Sequence, residues 1–171
     1  MATKIETLYF SKKINMRSYY RLLLGLCLLV SFNSPAQNFN AKTVLPGSLN
    51  QYHFGMTLED FTKKNKSATA TQSSLSFRIE YLDKEAGKDI KRVTYYFDAE
   101  NEKPLYEMII QFNDVRSLDA HCSKKLGKAN DGKQWKWTTK EGYTFKAWRF
   151  SSTLVLALGL PSTEWEKEWD N

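Results

Sequence analysis

Apolar and polar positions alternate strictly along three stretches in the middle of the chain. Leu75, Phe77, Ile79 and Tyr81 alternate with Ser76, Arg78 and Glu80; Val93, Tyr95 and Phe97 with Arg92, Thr94 and Tyr96; and Tyr106, Met108, Ile110 and Phe112 with Glu107, Ile109 and Gln111. A period of two places alternate side chains on opposite faces of a strand, so each stretch predicts a β-strand with one covered face. The polar connections 83–88 and 98–103 have hairpin length and turn composition, which makes the three strands an antiparallel meander. Ahead of them, Thr57 precedes Leu58 and Phe61 at helical spacing, with Asp60 placed to complete the cap and Lys63-Lys64 in the last turn, where a helix favours cations. The same plan follows a second time. Asp114 is a helix cap, Val115, Leu118, Cys122 and Leu126 recur on one face, and Gly127 stands where a helix ends. Three more strands are predicted at 134–139, 143–150 and 153–160, joined by tight turns. The expected fold class is therefore α+β: two helix-plus-three-stranded antiparallel meander units, 52–113 and 114–160, packed as one compact body. A tail, 161–171, carries Trp165 and Trp169 four residues apart, the spacing of a short helix docked on the sheet.

The amino-terminal pattern is of another kind. From Arg21 an apolar run of about eleven residues follows a basic flank and leads to Asn33-Ser34-Pro35-Ala36, the three regions of a secretory signal peptide. Cleavage is expected after Ala36, with translation starting at Met1 or at Met16. The run is too short to span a bilayer, so no integral membrane segment is expected once it is removed. A lipid-anchored form through Cys27 is the alternative, although Leu26 is larger than the residue such a box places there. The expected location is periplasmic or secreted. Residues 37–51, polar and without periodicity, read as a flexible leader.

This division changes what charge and cysteine content mean. The chain of 171 residues has a formal charge of +6, but residues 1–36 hold five Lys/Arg against one acid. The rest carries 20 basic and 18 acidic residues, 20 − 18 = +2, too little for the counterion release that nucleic-acid binding exploits. No nucleic-acid partner is expected. Removal of the signal leaves Cys122 as the only thiol, so no internal disulfide is available.

Catalytic patterns are sparse. His53, His121 and Cys122 are the only nitrogen and sulfur ligands beyond residue 36, and His121 and Cys122 point about 100° apart on a helix, which suits neither zinc nor a nucleophilic pair. Cys122 reads as core and His121 as surface. No phosphate-binding glycine loop or nucleophile elbow is present. Glu80 and Glu107 share a polar face with Arg78 and Arg92, which reads as cross-strand ion pairing. No metal, cofactor or catalytic residue is expected; His53 with the many carboxylates is what an enzyme would have to use. The outer sheet face is different. With Leu154, Leu156 and Leu158 inward, and Tyr143, Phe145 and Ala147 inward, Trp148 and Lys146 turn out, and Tyr96, Ile109 and Arg92 lie on the corresponding face of the first unit. Aromatic anchors among cations make these five residues the candidate binding set.

The stretch His53-Phe54-Gly55-Met56-Thr57-Leu58-Glu59-Asp60, entering a short helix before a meander and a second helix-plus-sheet unit, resembles the beta-lactamase inhibitory protein-like superfamily and the related small outer-membrane assembly lipoproteins. The resemblance covers residues 52–160 by architecture. It implies a non-enzymatic domain with helices on one sheet face and a protein partner on the other face or an edge. The expected function is an exported protein-binding module acting on an envelope or extracellular protein; a small-ligand or glycan binder using the same aromatics is the alternative.

Overall fold

Both predicted helix starts are built by their caps. The Thr57 Oγ1 accepts the Asp60 backbone N–H at 3.1 Å and opens α1, Leu58–Lys64; the Asp114 Oδ1 accepts the Ser117 N–H at 2.8 Å and opens α2, Val115–Lys125. At the far end of α2, Leu126 is the cap and Gly127 follows at φ +68°, a left-handed conformation that glycine takes without strain. The computed structural model describes residues 39–100, 102–166 and 169. The described residues all belong to one compact unit. The signal peptide expected over residues 1–36, with Met16 and Cys27, lies outside the described residues.

The strands are β1 Thr69–Thr71, β2 Arg78–Asp83, β3 Ile90–Asp98, β4 Leu105–Phe112, β5 Trp135–Thr138, β6 Thr144–Phe150 and β7 Thr153–Leu158. They form one seven-stranded sheet in the order β1-β2-β3-β4-β7-β6-β5, every neighbouring pair antiparallel. The fold is thus mixed α+β and mostly sheet. β4 pairs with β7, Ile109 opposite Val155, so the strands that follow α1 and those that follow α2 are joined edge to edge. The short strands β1 and β5 form the two margins. Both helices cover one face: Phe61 of α1 and Leu118 and Cys122 of α2 are buried in a single cluster with Tyr95, Met108, Ile110, Phe145, Leu154 and Leu156. No helix among the described residues is long and apolar enough to cross a membrane.

Several expectations are corrected. The first half has four strands rather than three, because Thr69–Thr71, too polar for an apolar alternation, still adds an edge to β2. Leu75 and Phe77 precede β2 in a turn and are exposed. Val115 is also exposed, so the buried stripe of α2 begins at Leu118. A β-bulge between Tyr96 and Phe97 breaks the phase of β4: Leu105 and Met108 enter the core cluster, while Tyr106 turns to the other face with Glu107. Within the expected leader, residues 39–51 are packed. Asn40 caps a 3-10 turn at Ala41–Val44, a second follows at Gly47–Leu49, and Val44, Leu45 and Leu49 are buried. Two short 3-10 turns carry no sustained period, which is why the pattern hid them.

Candidate binding face

The register assembles the outer face row by row. Tyr96 lies opposite Glu107, which lies opposite Ala157, and Ala157 opposite Lys146. The next row is Thr94, Ile109, Val155 and Trp148, and the third is Arg92, Gln111, Thr153 and Phe150. Tyr96, Arg92, Ile109, Lys146 and Trp148 therefore share one face of one sheet. They do not share one environment.

Chain continuing from β7 folds back over the first two rows. Pro161 to Glu166 runs in turns, where a short helix was expected, and Trp165 and Trp169 stack at 5.1 Å between ring centroids. Trp165 meets Trp148 edge-on at 5.7 Å and donates its Nε1–H to the Glu107 carboxylate at 2.9 Å. Lys146 places its ammonium 5.2 Å from the Trp169 ring centroid. Glu164 takes the Arg78 guanidinium at 3.5 Å and the Tyr106 hydroxyl at 3.3 Å, and Arg78 in turn lies 4.1 Å over the Tyr96 ring. Small side chains make this seating possible. Ala157 and Val155, between larger neighbours, are buried on this face outside the main core cluster, and a Cβ on Gly159 would come within 3.3 Å of the Trp165 carbonyl.

Arg92 and Phe150 stay exposed in the third row, and Ile109 is half-buried at the border. The expected Glu–Arg pairs across strands are replaced by the Arg78–Glu164 pair with the tail. Glu107, 4% exposed, loses its hydration under the tail and is pushed up to about 7 from an ordinary 4.5; desolvation is the main cause, the Glu164 charge adds to it, and the Trp165 N–H opposes it. Burial also raises the Tyr106 hydroxyl, again with help from Glu164. Arg78 Nε and Gln111 Oε1 are buried without a hydrogen-bond partner among the described residues.

Glu107, Tyr106, Arg78, Glu164 and Trp165 were not in the predicted set. The spacing of Trp165 and Trp169 was the available signal, since it called for an apolar surface to dock on. Elsewhere, His121 is half-buried rather than on the surface, its Nε2 2.9 Å from the Val44 carbonyl and its ring against Phe112, while Cys122 is buried and free. Burial raises the Cys122 thiol. Among the described residues no group of three His, Cys, Asp or Glu is placed to hold a metal ion. No protein-family model, curated protein or solved structure matches the chain.

Proposed function

We propose that this protein is a non-enzymatic binding module whose outer sheet face receives an acidic, tryptophan-bearing segment of a partner protein. The observation that carries the reading is the seat of Glu164 and Trp165: a carboxylate on Arg78 and Tyr106 beside an indole on Glu107 and Trp148. A segment of that chemistry already fits the face, and a partner presenting the same groups would exchange with it. Arg92 and Lys146 add positive potential that speeds the encounter with acidic chains. The exposed Phe150 extends the surface beyond what the tail covers. The resemblance of residues 53–60 to the beta-lactamase inhibitory protein-like superfamily, and a duplicated helix-plus-meander plan, support a protein rather than a small molecule as the occupant. Export through residues 1–36 belongs to the same reading, with the partner in the envelope or outside the cell.

The experiment uses a synthetic peptide of residues 161–171 added to the full chain carrying Trp165→Ala and Trp169→Ala. Saturable binding by calorimetry, weakened about tenfold or more by adding Arg78→Ala and Trp148→Ala, is expected, the loss of one good charged or aromatic contact being worth about that much. Binding that ignores those two substitutions, or no binding at all, would overturn the proposal. A saturable thermal shift with glycans and none with the peptide would replace it with the glycan reading.

A further inference from the structure

We propose that a cleft on the helix-bearing side of the sheet, lined by α2 and by the chain around Pro46–Ser48 and Gly87–Ile90, binds a small polyanion of the phosphate class. Its volume is about 590 Å³, the size of an ordinary small-ligand site. Arg116, Lys124 and Lys125 reach it from α2 and Lys88 from the facing loop, against the single carboxylate of Asp89, a local balance of 4 − 1 = +3. The whole chain beyond residue 36 carries only +2, so the charge is concentrated here. None of these four cations forms an ion pair among the described residues, whereas Lys63, Arg78 and Arg149 each do.

Helix electrostatics account for part of this arrangement and not the rest. Lys124 and Lys125 occupy the last turn of α2, where the dipole favours positive charge. Arg116 stands in the first turn, where the dipole opposes it, and that turn contains no acid. The nearby Asp114 carboxylate is engaged in capping, accepting the Ser117 N–H, and stands outside the lining. Lys88 belongs to no helix. An anion held between Arg116, Lys88 and Lys124 gives these charges a common partner: the guanidinium offers a bidentate fork, and the ammonium groups act as point charges suited to phosphate oxygens.

The cleft is shaped to stay open. Arg116, Ala120 and Lys124 succeed one another four residues apart on α2, and the small Ala120 between two long side chains leaves room at the centre. On the opposite wall the Ser48 side chain packs directly on Gly87, since a Cβ there would lie 2.6 Å from the Ser48 hydroxyl. At one end His121 is held by the Val44 carbonyl, with burial and Lys125 lowering its affinity for a proton. An anion in the cleft would offset both effects, which makes His121 a reporter.

The test follows the amide and imidazole resonances of the full chain by NMR during titration with inorganic pyrophosphate, and with citrate as a carboxylate polyanion. Expected are saturable shifts at Gly87, Ala120 and His121, an upward move of the His121 titration midpoint with little change at His53, and about tenfold or greater weakening by Arg116→Gln with Lys88→Gln. Both positions are exposed, so the fold should survive, and Lys63→Gln with Lys64→Gln on α1 serves as the control of equal charge. A stronger response to citrate than to pyrophosphate would overturn the phosphate class. Shifts spread evenly over surface lysines, or binding indifferent to the double substitution, would overturn the site.

Discussion

Glu107 is a carboxylate buried between its own sheet and the Trp165 indole, and that position sets a pH dependence. Its folded-state proton affinity, near 7, lies above the 4.5 of an exposed glutamate, so the folded chain holds a proton that the unfolded chain has released between those values. Stability from this group is therefore fully present below about pH 4.5, falls as pH rises and is lost above about pH 7. Glu107→Gln keeps an acceptor for the Trp165 N–H without the charge. It is expected to unfold at nearly the wild-type denaturant midpoint at pH 4.5 and to be more stable than wild type by roughly 2–3 kcal/mol at pH 8. Comparing the two proteins at each pH cancels the histidines, whose lowered affinities act in the opposite direction. Asn65 is a second single residue with a large effect. Its side chain donates to Asp83 at 2.9 Å and accepts from the backbone of Ser67 and Ala68, and both it and Asp83 are buried. Asn65→Ala takes one donor from a carboxylate that keeps the Ser67 hydroxyl and the Glu85 N–H, and leaves the Ser67 and Ala68 N–H groups without their acceptor; chemical denaturation should show a loss of about 2–3 kcal/mol.

Among elements, the tail differs most from what the pattern foretold. Gly159 lies where β7 hands over to it, and Gly159→Ala places a methyl group against the Trp165 carbonyl and the Trp169 ring. A cost of about 1 kcal/mol is expected, with tryptophan emission shifted to the red as the indoles gain water; unchanged emission would mean that the tail adjusts without lifting. Strands and caps were legible because each rests on local chemistry: Val93, Tyr95 and Phe97 alternate and are buried, Trp135 and Trp137 face inward with Phe145, and Thr57 and Asp114 cap. The bulge was not legible. It depends on how β3 and β4 meet, and one extra residue moved Tyr106 from the predicted core to the outer face beside Glu164. The face itself was legible through its register, whereas its partial cover was not, since nothing local in Glu164 or Trp165 names Arg78, Tyr106 or Trp148, tens of residues distant, as its neighbours. Val44, Leu45 and Leu49 escaped for the same reason, being buried by tertiary packing and not by any period of their own.

At the scale of the whole described fold, β4 and β7 bind the halves into one cooperative body. Both helices and all the central strands feed a single buried cluster, so heat and denaturant should each produce one transition, with fluorescence and circular dichroism coinciding. Hydrogen exchange should be slowest in β4 and β7, which lie at the centre of the sheet with neighbours on both sides; slowest exchange in β2 or β6 would argue against that seam. The margins have the opposite character. β1 offers only Thr69–Thr71 and β5 only Trp135–Thr138, and Phe39 bridges to Thr139 at the end of β5. An open sheet with such brief, partly screened rims gives an incoming copy little to stitch onto, so concentrated solutions should resist fibril growth despite a core rich in leucine and aromatic side chains.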